Sequence, residues 1–261
     1  MRRGKLTYIS VFIFLLCITL PRTADAQEEV HRVLFVGNSY TYFNSMPQLF
    51  AAMAEHTMPG HTIETKFLGG GGATMKQHWD VGLVVEELKS SKWDYVVLQG
   101  QSMLGSDDLT DPDSPNQFYK YAELLDKEIT ASGAKTVFYM TWSRKHLPEQ
   151  QKYLTKAYTH MAEKLGSVLA PVGLVWDRVR GDSSVELYQE DGSHPSIEGS
   201  YLAAMTVYAS IFSTPQAEMP GVLSGFEILR GGKLSDKKTQ LSDLSKAEVQ
   251  IIQEAVLQVV E

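Results

Sequence analysis

The chain has 261 residues, 43% of them hydrophobic and 21% charged, with a formal net charge of −7 at pH 7. That length suits one large domain or two small ones with a sizeable core. An acidic balance without a basic cluster argues against nucleic acid and anionic membrane surfaces as partners.

The chain opens with Arg2, Arg3 and Lys5, an apolar run from Leu6 to Leu20, and a small-x-small site at Ala24-Asp25-Ala26. That order reads as a secretory signal peptide cleaved after Ala26, the run being shorter than the roughly 20 apolar residues that span a bilayer. Leu16 stands before Cys17 where a lipoprotein signal needs a small residue, so no lipid anchor is expected. The expected product is secreted or periplasmic and no longer attached to a membrane. Cys17, the only cysteine, leaves with residues 1–26, so the mature chain has neither a disulfide nor a thiol nucleophile.

Val33 to Val36 is the first predicted strand, and Pro47 to Glu55 the helix after it. Thr62 to Phe67 alternates polar and apolar residues like an edge strand. A glycine cluster follows, then helical spacing from Met75 to Leu88. Tyr95 to Leu98, Thr136 to Met140 and Val168 to Ala170 are further strands. Helices are expected over Phe118 to Thr130, Tyr153 to Leu165 and Ile197 to Phe212. Strands alternating with helices of this length predict an α/β fold, a three-layer sandwich around a mainly parallel sheet. The main domain is expected over 27–214. Residues 215–261 form a loop-rich stretch with Pro215, Pro220 and Gly231-Gly232, then a helix capped by Ser245 and Glu248, packed on the same domain.

In an open parallel sheet, ligands bind at the carboxyl ends of the strands. Ser39 stands there in Phe35-Val36-Gly37-Asn38-Ser39-Tyr40-Thr41. Gly37 is expected to let the backbone turn sharply, and the following helix to present free N–H groups beside the serine. Asp191-Gly192-Ser193-His194-Pro195 lies far downstream. It supplies a histidine with a carboxylate three residues earlier to fix its tautomer. Ser39, Asp191 and His194 together are the residue types that activate a serine hydroxyl.

With these residues in hand, the chain resembles the SGNH (GDSL-like) hydrolase family. Phe35 to Ser39 is similar to its first block, with Asn38 where many members carry Asp, and Asp191 to Pro195 is similar to its last. Gly37 to Thr41, Gln77-His78-Trp79, Leu98 to Ser102 and Tyr139 to Arg144 resemble a bacterial subgroup long known only as a domain of unknown function. The resemblance covers about Val33 to Phe212. It implies a flavodoxin-like sandwich and ester hydrolysis through an acyl-serine. It also implies an oxyanion hole from the N–H of Ser39, a glycine N–H and a third-block amide. Register favours Gly71 for the glycine, with Gly70 nearly as good. The third block has no asparagine, and Gln101 falls in its place, with Gln99 as the fallback.

Around this triad, Tyr40, Tyr42 and His78 are expected to line the cleft. Trp142 is placed to stack on a sugar ring, and Arg144 to meet a carboxylate or shape the cleft. Asp107, Asp108, Asp111 and Asp113 crowd one loop without an EF-hand pattern. The seven histidines (31, 56, 61, 78, 146, 160, 194) contain no His-Glu-x-x-His, so neither a metal nor another cofactor is expected. The reading is a secreted serine esterase acting on a small-molecule or glycan ester, with an O-acetylated carbohydrate as the leading substrate. A non-catalytic glycan-binding module and an acyltransferase using the same triad are the alternatives.

Overall fold

The structure is a computed structural model that describes residues 29–102, 117–182, 184–213 and 218–260. The expected signal peptide with Cys17 lies outside the described residues, as do Asp107, Asp108, Asp111, Asp113 and Pro215. Among the described residues, no helix is long and apolar enough to cross a membrane.

Strand β1 (Glu29–Gly37) leads through the short helix α1 (Ser39–Tyr42) and a 3-10 turn (Phe43–Ser45) into α2 (Met46–Thr57). β2 (His61–Gly69) follows, then α3 (Met75–Val81) and α4 (Leu83–Ser90), β3 (Tyr95–Leu98), α5 (Phe118–Ser132) and β4 (Lys135–Tyr139). α6 (Gln151–Leu165), β5 (Val168–Ala170), α7 (Val172–Val179) and α8 (Ile197–Phe212) complete the sandwich. The five strands are all parallel, in the order β2-β1-β3-β4-β5. This is the flavodoxin-like order, whose switch point lies between β1 and β3.

Strand β1 shows why the sheet is covered on both sides. Val33 and Phe35 enter one apolar core with residues of α2, α7 and α8, while Leu34 and Val36 enter another with α3 to α6. All four are at most 1% exposed, so the strand reads as a continuous apolar run rather than an alternating one.

Three local expectations are corrected. The helix predicted over Met75 to Leu88 is two, because Gly82 takes a left-handed φ of 77° that ends α3. Helix α7 was not anticipated. Its Gly173 weakens the helical signal, yet a Cβ there would come within 2.2 Å of the Thr141 carbonyl and the Gln151 amide. The loop-rich stretch after Phe212 contains an antiparallel hairpin, β6 (Val222–Ile228) with β7 (Leu234–Asp243). β7 is mostly exposed and polar, so no apolar pattern announces it. The hairpin packs on α2 through β6. The last helix, α9 (Lys246–Val260), packs on α7 and α8, and its Val249, Ile252 and Val256 are buried in the same core.

Candidate active site

The turn after β1 is built around a close approach. Gly37 does not take a positive φ; a Cβ there would meet Thr41 Oγ1 at 2.4 Å and Gln99 Oε1 at 2.5 Å. The sharp-turn role expected of Gly37 is therefore replaced by a steric one. Gln99 accepts from the Asn38 N–H at 2.8 Å and from the Thr41 hydroxyl at 2.9 Å, and its amide nitrogen donates to the Gly100 carbonyl. It is 1% exposed and acts as a buckle for the serine turn.

Asn38 caps α1 by accepting from the Tyr40 N–H at 3.0 Å, and its own amide donates to the Ala73 carbonyl at 3.0 Å. It thus ties the serine turn to the end of the glycine loop. An aspartate could not make the second bond, which gives the Asn38 departure from the family pattern a physical reason. Ser39 is the first residue of α1, where backbone N–H groups lack intrahelical acceptors.

The downstream loop reaches this serine through an Asx-type turn. Asp191 Oδ1 accepts from the N–H groups of Ser193 and His194, both at 2.9 Å, while Oδ2 lies 2.5 Å from His194 Nδ1. His194 Nε2 lies 3.0 Å from Ser39 Oγ. Gly192 holds a φ of 64° in this turn, which favours glycine. Burial by itself would raise the Asp191 carboxyl. Hydrogen bonds from the His194 ring and from the Ser193 and His194 N–H groups outweigh it and hold the group at about 2. A carboxylate that is ionised at neutral pH thus faces Nδ1, and Nε2 is turned toward the serine hydroxyl.

Two of the expected cleft residues lie beneath the site instead. Tyr40 is 3% exposed and Trp142 fully buried. Their rings stack at 4.5 Å, and Trp142 stacks on Trp176 of α7 at 3.9 Å. The Tyr40 hydroxyl bonds Ser193 Oγ at 2.7 Å, and Trp142 Nε1 donates to the Ser193 carbonyl at 3.1 Å. This aromatic pillar supports the histidine loop and cannot stack on a sugar. His78 is also buried, to the same degree as Ser39. It leans on the Gly37 backbone, and burial pushes its imidazole down to about 4. Its Nε2 finds no hydrogen-bond partner among the described residues. Arg144 is half-buried, and no hydrogen bond or ion pair among the described residues links it to Ser39 or His194.

Gly71 is exposed in the turn after β2, and a Cβ on it would stand 4.0 Å from the Tyr42 hydroxyl. Gln101 is half-buried beyond β3, on the other side of β1 from the glycine turn in the sheet order. Two neighbours of the serine escaped the sequence reading. Phe43 lies flat on the His194 ring at 4.4 Å. Asn44 donates its amide to the carbonyls of Pro195 and Ser196 at 3.1 and 2.7 Å, and to Ser200 Oγ at 2.8 Å. The Asn44-Ser45 pair before Pro47 is turn chemistry, the one signal that could have marked it.

No family model and no curated protein matches the sequence. Solved structures do. A protein of Slackia heliotrinireducens named as an SGNH hydrolase is 27% identical, with a TM-score of 0.57 over 70% of this chain and 100% of its own. Esterase EstA from Pseudoalteromonas is 16% identical over 69% of this chain and 96% of its own, with a TM-score of 0.52. Axe2, an acetyl-xylooligosaccharide esterase from Geobacillus stearothermophilus, is 13% identical over 72% of this chain and 95% of its own, with a TM-score of 0.54. The last two likenesses speak for the fold. A flavodoxin-like sheet that gathers a serine, a histidine and an aspartate into one hydrogen-bonded row, and that matches an SGNH hydrolase over the whole of that protein and 70% of this chain, supports assigning this chain to the SGNH serine hydrolases.

Proposed function

We propose that the protein is a secreted esterase that removes a short acyl group, acetyl above all, from a carbohydrate through an acyl-serine intermediate. The observation that carries this reading is the unbroken row from Asp191 Oδ2 through the His194 ring to Ser39 Oγ, with contacts of 2.5 and 3.0 Å. Ser39 Oγ attacks the ester carbonyl and passes its proton to His194 Nε2, while the Asp191 carboxylate stabilises the imidazolium that forms. The Ser39 N–H, a glycine N–H of the Gly70–Gly72 turn (Gly71 by register) and the Gln101 amide stabilise the oxyanion. His194 then protonates the departing alkoxide. In the second half-reaction His194 takes a proton from water, whose oxygen attacks the acyl-serine, and the imidazolium returns that proton to Ser39 Oγ as the acid leaves.

With Tyr40 and Trp142 beneath the site, the carbohydrate part of the reading rests on other support. Tyr42 and Phe43 are half-buried aromatics beside the serine and histidine. Axe2, which shares the fold, is named for acetylated xylo-oligosaccharides. The signal-like leader supports export. The test is hydrolysis of p-nitrophenyl acetate and release of acetate from acetylated xylo-oligosaccharide by the mature protein. Ser39→Ala and His194→Ala should each lose roughly 10³-fold or more in kcat. Full activity in either variant overturns the triad, and a preference for long acyl chains overturns the acetyl assignment.

A further inference from the structure

The amino-terminal end of the sheet, opposite the triad, carries a cluster that ester hydrolysis does not use. Glu29 and His31 are two residues apart on β1 and therefore share a face, and the strand register pairs Glu29 with His61 at the start of β2. His31 Nε2 stands 3.0 Å from His61 Nδ1, with the two rings nearly parallel, 3° apart. The Glu29 carboxylate places one oxygen 3.8 Å from His31 Nε2 and the other 3.8 Å from His61 Nδ1. Ligand atoms of all three residues lie within 4.8 Å of one another. Phe212 closes the site from the side, its ring edge-on to His31 at 5.1 Å.

Two imidazole nitrogens and a carboxylate are the donor set of a borderline divalent ion such as zinc. Zinc–nitrogen bonds of about 2.0–2.1 Å at a tetrahedral angle place two nitrogens about 3.3 Å apart. The observed separation needs only a few tenths of an ångström of adjustment, and the carboxylate must close by about half an ångström. A fourth position remains for water. The two histidines come from different strands, thirty residues apart in sequence, so no spacing motif reveals them.

We propose that Glu29, His31 and His61 bind a divalent transition ion, zinc being the probe, which staples β1 to the sheet's edge strand β2. Six residues of strand, roughly 20 Å, separate His31 from Gly37 and the serine turn, so the ion fastens the fold and takes no part in catalysis. A chain with one cysteine has no disulfide with which to fasten that edge.

The experiment is calorimetric titration of the metal-free mature protein with zinc chloride, beside thermal unfolding with and without zinc. The wild type and His194→Ala should each bind one equivalent and gain in Tm. His31→Ala and His61→Ala should lose both effects, and His61→Gln repeats the test if an alanine variant does not fold. The proposal is overturned if the wild type binds no zinc, if folded His31 and His61 variants bind as the wild type does, or if His194→Ala alone abolishes binding.

Discussion

The phenyl ring of Phe43 lies almost flat on the imidazole of His194, with centroids 4.4 Å and planes 15° apart. The edge of Tyr40 meets the same imidazole at 5.8 Å. Between them the ring is confined to the plane that holds both Ser39 and Asp191. Such contacts are worth about 0.5–1.5 kcal/mol each. Phe43→Ala should therefore lower kcat for a small ester about tenfold, while Phe43→Tyr keeps most of the activity. Steady-state kinetics on folded variants checks this. An unchanged kcat in Phe43→Ala would show that the hydrogen bonds alone orient the ring.

Asn44 links the two halves of the site in another way. It holds φ 49° and ψ 25°, and Ser45 follows at φ 53°, a left-handed pair that asparagine tolerates better than most side chains. Asn44→Ala loses both the amide bonds and the conformational fit, and should cost about 2–3 kcal/mol. Asn44→Gly keeps the backbone and should cost less. Both should lower kcat more than they raise KM, because the acceptors lie on the residues after His194. Denaturant unfolding together with kinetics separates the two effects.

Gln99 and Gln101 should behave differently. Gln99→Leu strands the buried Asn38 N–H and should cost about 1–3 kcal/mol of stability. Gln101→Ala should lower kcat by about 10²–10³ if its amide serves the oxyanion. A stable, fully active Gln101→Ala would leave the backbone N–H groups to stabilise the oxyanion.

Acid should weaken the fold in two stages. Burial holds His78 at about 4, against 6.5 for the free side chain, so the unfolded chain binds the extra proton between those values. The corresponding stability, of the order of 3 kcal/mol, is present above pH 6.5 and lost as pH falls toward 4. Asp191 is held at about 2 against 3.8. Its contribution is present above pH 3.8 and lost as pH falls through about 2. Tm measured from pH 7 to pH 3 should fall through the first window in the wild type and much less in His78→Gln. Equal falls in both would assign the loss to other groups.

What the sequence discloses depends on how local the determining contacts are. The apolar run of β1 and the helical spacing of α5, α6 and α8 carry their own signal, and with it the parallel sandwich. Asp191 and His194 meet within a single turn. Trp142 was misplaced because a strand-end aromatic looks the same in sequence whether it faces a cleft or lies under a loop. The residue that settles it, Trp176, sits on a helix whose pattern Gly173 obscures. Asn44 and its acceptors are some 150 residues apart, and nothing in a single chain announces such a pairing. His31 and His61 are hidden in the same way.

The hairpin that follows the sandwich closes back on the serine loop. The Ile228 N–H donates to the hydroxyl of left-handed Ser45 at 2.9 Å, and the Tyr201 hydroxyl donates to the Pro220 carbonyl at 3.1 Å. A gene fragment trimmed at Phe212 would still encode every reacting atom. It would also strip the covering from α2 and α8, leaving a greasy, sticky surface where the native chain has a seam. For anyone recloning this enzyme, the smallest useful unit therefore runs on through Val260, long after the codon for His194.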